Sequence, residues 1–211
     1  TLFKRLHDET VTLPMIRHLA ETQTKRLQQL TGKWLEHYDD LASIGLTELW
    51  RKRLDEDLRN FGYSFGDDIP NTTTDARVEK LLQCFTSHSY FATLSIGDAE
   101  IAIDNHAGNI VFVDNVPQFI DIYLLKREWR LIDRHHNIAR IATCVHVLGG
   151  DELASEIYAT FSKYHQPAPS EVYRFMEAYN ALIKGYYYTY LKKPETAVRY
   201  FTFADNILEN L

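Results

Sequence analysis

The feature that most constrains this chain is a change of period. From Tyr90 to Ile122, β-branched and aromatic residues alternate with polar ones, whereas on both sides apolar residues recur at three- and four-residue spacing. A period near two fits short half-buried strands, and a period near 3.6 fits amphipathic helices. The layout is helices, then a small β unit, then helices. It predicts an α+β fold, mostly α, organised as helical residues 1–88, a β unit over 89–126 and helical residues 127–211.

Within that frame the elements follow from local signals. Thr12-Leu13-Pro14 reads as a helix start, followed by Ile16, Leu19, Ala20, Gln23, Leu27, Leu30, Trp34 and Tyr38 on one stripe, with Gln23 its polar exception and Gly32 a weak point. A second helix is expected from Leu46 to Asn60, a loop from Gly62 to Thr74, and a third helix carrying Val78, Leu81, Leu82 and Phe85. Strands are expected at Phe91–Leu94, Glu100–Ile103, Asn109–Val113 and Gln118–Asp121, with a turn at Asp114-Asn115. Helices then resume over Leu131–Leu148, Asp151–Tyr164 and Ser170–Leu191, and again from Pro194.

Composition narrows the function classes. The 211 residues are 45% hydrophobic and 25% charged with a net charge of −6, which suits a globular chain and argues against a chain-wide nucleic-acid footprint. No apolar run reaches the roughly 18 residues a membrane span needs, and no signal peptide is read. Cys84 and Cys144 lack metal-type spacing and suit buried thiols in a reducing cytoplasm. The chain begins at Thr1 and has its first methionine at Met15, so a fragment or processed form is expected.

The candidate chemistry lies in Ile103-Asp104-Asn105-His106-Ala107-Gly108-Asn109-Ile110. Asp104 and Asn109 stand five residues apart in a loop between strands, and Asp121 follows twelve residues after Asn109, at the end of the next strand. Asp and Asn are also ordinary turn residues. Brought to one edge, however, two carboxylates and an amide oxygen form an oxygen-only set suited to Mg²⁺, which takes one or two protein carboxylates plus substrate phosphate. Asp104 would hold or deprotonate an attacking hydroxyl, with Asn109 and Asp121 on the metal.

Asp104-Asn105-His106-Ala107-Gly108-Asn109-Ile110 resembles the H-G-D-L-H-x-x-N-I catalytic loop of the aminoglycoside-phosphotransferase-like kinases, with Asp121 at the position of their second metal-binding Asp. The nearest resemblance is to a bacterial group whose kinase domain is often fused to a P-loop ATPase. That group continues with a stretch like I-E-F-N-x-x-F-R-x-I-D-V, against which Trp129, Arg130, Ile132 and Asp133 align. The resemblance implies a helical kinase-like C-terminal lobe with a β-hairpin catalytic unit. It also implies Mg²⁺ and ATP as cofactors, Asp104 as catalytic residue, Asn109 and Asp121 as metal ligands, and His106 and Asp133 as supporting residues. The acceptor hydroxyl, on a small molecule or a protein, is not named by it. The chain departs from the pattern: Ala102 and Ile103 replace the loop's first His and Gly, Asn105 its Leu, Leu124-Leu125-Lys126 the E-F-N, and Asn137 a later Asp. The family's β-rich nucleotide-binding lobe is expected to be absent from this chain, whether cut away, supplied by another chain or lost in evolution, and Phe3-Lys4-Arg5-Leu6 resembles the hinge that follows that lobe. The isolated chain is therefore expected to bind nucleotide weakly and to need its missing lobe.

Rival features have simpler readings. His135-His136 and His146 lie on the helix after the β unit, where His135 and His146 come near one face without a third zinc ligand. Lys4-Arg5 and Arg51-Lys52-Arg53 read as solvated helix faces. Tyr179, Tyr186, Tyr187, Tyr188 and Tyr190 read as a packed aromatic face. Gly185, Tyr188, Ala197, Phe201 and Ala204 match the spacing of one tetratricopeptide-type hairpin turning at Lys192-Lys193-Pro194, too few for an array. The lost motif residues and the missing lobe favour a second class of function, a degenerate kinase-like or helical scaffold that docks a protein partner, which the retained Asp–Asn–Asp set disfavours.

Overall fold

The computed structural model describes residues 1–64, 76–120 and 127–211. In chain order these form α1 (Leu2–His7), α2 (Leu13–Trp34), α3 (Asp39–Ile44), α4 (Leu46–Ser64), α5 (Ala76–Ser87), α6 (Ser89–Ala92), β1 (Ala99–Ile101), β2 (Ile110–Val113), β3 (Val116–Phe119), β4 (Leu131–Asp133), α7 (Arg134–Gly149), α8 (Asp151–Phe161), α9 (Ser170–Tyr190) and α10 (Pro194–Leu208). The fold is α+β and mostly α. Its residues divide into two compact units, one of Thr1–Leu46 with Ser95–Ala168, the other of Thr47–Leu94 with Pro169–Leu211.

In the first unit, α2 starts where Pro14 tolerates the unbonded first turn, and it buries Met15, Ile16, Leu19, Ala20, Gln23, Thr24 and Leu27. It runs through Gly32 and gives way to a 3₁₀ turn at Leu35, which leaves Trp34 exposed instead of on the buried stripe. Helix α2 packs against α8 and β1. The hairpin β2–β3 is antiparallel, with Ile110 opposite Phe119 and Val113 opposite Val116. Its turn residues Asp114 and Asn115 have φ of 49° and 60°, the pair of positive values a two-residue type I′ turn requires.

Several expected elements are corrected. Leu131 and Ile132 do not open a helix: they pair with Ile101 and Glu100 in the antiparallel β1–β4 ribbon. Asp133 then caps α7, its Oδ1 accepting from the His135 backbone N–H at 2.9 Å, so the helix begins at Arg134. The strand expected at Phe91–Leu94 is instead the short helix α6, opened by His88 Nδ1 accepting from the Tyr90 N–H. The hinge-like Phe3–Leu6 lies inside α1. The expected Gly62–Thr74 loop and Asp121 with the five residues after it fall wholly or largely outside the described residues; α4 extends to Ser64.

The second unit is built on aromatic packing. Trp50 is fully buried, edge-on to Phe91, Phe175 and Tyr179 at centroid distances of 6.0, 6.1 and 5.6 Å. Arg53 was expected on a solvated face but is buried, its Nε 3.6 Å from Asp57 Oδ2, which also accepts from the Tyr179 hydroxyl. Helices α9 and α10 pack as a pair. A Cβ on Gly185 would lie 2.6 Å from the Phe201 ring, so only glycine permits this approach. The Tyr188 and Tyr200 rings stack at 5.5 Å nearby. Both cysteines are free thiols, Cys144 buried and Cys84 half-buried.

Candidate active site

The loop after β1 descends through Ala102 and Ile103 to Asp104 and makes a single 3₁₀ turn, Ala107–Asn109, before β2. That turn folds the five-residue spacing back on itself. Asn109 Nδ2 donates to the Asp104 backbone carbonyl at 2.9 Å and faces Asp104 Oδ2 at 3.3 Å. Because the amide nitrogen is committed to Asp104, Oδ1 is the end of Asn109 left to accept, and among the described residues it takes no hydrogen bond. Across the hairpin the Ile120 N–H donates to the Asn109 carbonyl at 2.8 Å. Asp121 is the next residue and lies outside the described residues.

His106 completes the turn. Its Nδ1 accepts from the Gly108 N–H at 3.0 Å, and since an amide can only donate, the ring proton sits on Nε2. Nε2 in turn lies 3.7 Å from Asp104 Oδ2. That separation is beyond hydrogen-bond reach, so the imidazole lies beside the carboxylate and holds the turn through Gly108. Asp104 Oδ1 accepts from Arg140 Nη2, a partner on α7 that the sequence reading does not anticipate. Asp133 is placed elsewhere, at the N-terminus of α7, where its Oδ1 also accepts from His135 Nδ1 at 2.9 Å.

Behind the loop lies a buried polar cluster. The Asn137 backbone carbonyl accepts from both Gln23 Nε2 and Asn105 Nδ2 at 2.9 Å, which fixes the orientation of both amides. Asn137 Nδ2 donates to Glu100 Oε2 at 3.3 Å and to the Ile101 carbonyl at 3.2 Å. Asn105 and Asn137, two of the departures from the kinase-like pattern, are thereby joined to each other, and Gln23 is the polar exception on α2. Among the described residues the side-chain oxygens of Gln23, Asn105 and Asn137 have no hydrogen-bond partner, so the cluster has more acceptors than donors.

Glu100 adds a buried carboxyl to the cluster. Burial pushes its carboxyl up to about 7, outweighing the Asn137 hydrogen bond and the Arg134 charge that favour the ionised form. His165 Nε2 stands 3.9 Å from Glu100 Oε1. Arg134 Nη1 lies 3.3 Å from His165 Nδ1, and Gln28 Nε2 lies 3.1 Å from its Nε2. Burial, with the charges of Arg134 and His135, pulls His165 down to about 4. His135 moves the other way: burial lowers it, but the hydrogen bond and charge of Asp133 outweigh that effect and raise it.

The loop's donor set fits a divalent cation only in part within the described residues, where no three His, Cys, Asp or Glu side chains are grouped to hold a metal. Asn109 Oδ1 and one carboxylate are present, and oxygen donors with phosphate are the chemistry Mg²⁺ takes. Cys144, His146 and the His135–Asp133 pair lie outside this loop, with His146 Nε2 on Asp151 Oδ1 at 2.7 Å. No family model, curated protein or solved structure matches the chain. Among the described residues no helix is long and apolar enough to cross a membrane.

Proposed function

We propose that this chain is the helical lobe of a kinase-like phosphotransferase that transfers phosphate from ATP to a hydroxyl and works in the cytoplasm. One observation carries the reading: the loop turns Asn109 so that its amide N–H₂ grips Asp104 and its carbonyl Oδ1 is left for a cation, five residues after a buried carboxylate. Asp104 orients the acceptor hydroxyl and takes its proton, His106 Nδ1 holds the turn by accepting from the Gly108 N–H, and Asn109 with Asp121 would hold Mg²⁺. The metal would supply charge neutralisation for the phosphates. Two free thiols accord with a reducing compartment.

Thermal denaturation with Mg²⁺ and ATP, singly and together, tests this on the full reading frame. Ligand at about ten times its dissociation constant adds about 1.4 kcal/mol, which raises the midpoint by about 3–6 °C for a chain of this size. The rise is expected only with both ligands present and to vanish in Asn109→Ala and Asp121→Ala. No rise, or one that both variants keep, overturns the reading. The second reading, a degenerate lobe that docks a protein, is favoured by the Arg140 guanidinium sitting on Asp104, and it predicts no response to Mg²⁺ and ATP.

A further inference from the structure

The loop's cation comes from α7. The Arg140 side chain is only 17% exposed, yet among the described residues its guanidinium makes one hydrogen bond, from Nη2 to Asp104 Oδ1. A guanidinium carries five N–H donors in a planar fork that matches carboxylate or phosphate two at a time. The rest of this fork makes no hydrogen bond to the described residues and reaches solvent beside the residue assigned to the acceptor. A single-armed contact with one carboxylate oxygen is the weaker use of such a group. A phosphate offers three acceptor oxygens and up to twice the charge.

We propose that Arg140 is a phosphate-binding residue of this loop, holding Asp104 when no phosphate is bound and turning to a phosphate group that enters beside it. The inference rests on the phosphotransferase reading and deepens it by naming the side chain that receives the phosphate. The exchange does not strand Asp104, because the Asn109 amide still donates to its Oδ2 at 3.3 Å. Asp104 and the incoming phosphate thus compete for one cation, and that competition can be measured.

The probe is inorganic phosphate, titrated against chloride at constant ionic strength, with the Arg140 Nε–H resonance followed by NMR. A saturable shift is expected in the wild type. Asp104→Asn, which removes the competing charge, tightens phosphate binding about tenfold, and Arg140→Lys, which keeps the charge but loses the fork, weakens it about tenfold. A role confined to structure would not make Asp104→Asn bind phosphate better. Mg²⁺–ATP titrated in parallel separates a nucleotide phosphate from free phosphate. No wild-type shift, or equal affinity in all three proteins, overturns the assignment. If Mg²⁺ and ATP stabilise the chain while phosphate leaves Arg140 unmoved, the assignment fails and the phosphotransferase reading stands. If phosphate moves Arg140 but Mg²⁺ and ATP stabilise nothing, the anion site holds and that reading falls.

Discussion

Replacing Glu100 with Gln is expected to leave stability almost unchanged at pH 4 and to raise it by roughly 3 kcal/mol above pH 7. The sign follows from the direction of the shift. The folded chain holds the Glu100 proton up to about 7, whereas the unfolded chain releases it near 4.5. The stability this group contributes is therefore fully present below 4.5 and is lost as pH rises through 7. Glutamine resembles the protonated acid and has nothing to lose. Two neighbours complicate the wild-type curve: His165, depressed to about 4, adds stability as pH rises from 4 to 6.5, and His135, raised, gives some back above its ordinary value. The difference between wild type and variant removes what the histidines contribute on their own and keeps only their coupling to Glu100, His165 Nε2 lying 3.9 Å from it. Urea denaturation at pH 4, 6 and 8 reads that difference directly; a gap that stays constant across the series contradicts the account of the buried cluster.

Trp50→Ala is expected to cost about 3–5 kcal/mol, a large part of what a domain of this size has in reserve. The indole is fully buried and edge-on to Phe91, Phe175 and Tyr179, with Phe85 6.2 Å away, so truncation removes the centre of the second unit's core. Its neighbours come from α5, α6 and α9, and they can close the gap only by moving together. Trp50→Phe retains a ring and should lose much less. A denaturation midpoint that moves equally little for both variants would mean the aromatic cluster is not the unit's core.

The helices were legible because burial imposes a period that residues display directly, as α2 does from Met15 to Leu27. The hairpin was legible because Asp114-Asn115 can adopt the positive φ its turn demands. Strand β4 was not, since Leu131 and Ile132 read as well at the head of a helix, and only pairing with β1 decides the matter. Helix α6 was missed for a similar reason: β propensity in Phe91-Ala92-Thr93-Leu94 yields to the anchoring of Phe91 on Trp50. Within the site, the Asp104–Asn109 pair could be found because it closes over five residues. Arg140 lies 36 residues from the carboxylate it holds, and Glu100 37 from Asn137, so both needed the tertiary structure. Gln23 alone left a mark in the pattern, as a polar residue on an apolar stripe.

The most direct test of the central claim is paramagnetic. Mn²⁺ takes the same oxygen ligands as Mg²⁺ and broadens nearby NMR signals. With ATP present and Mn²⁺ substoichiometric, the Asn109 side-chain amide and the backbone amides of Ile110 and Ile120 should broaden first. Broadening centred elsewhere, or none when ATP is present, would contradict a metal-binding catalytic loop.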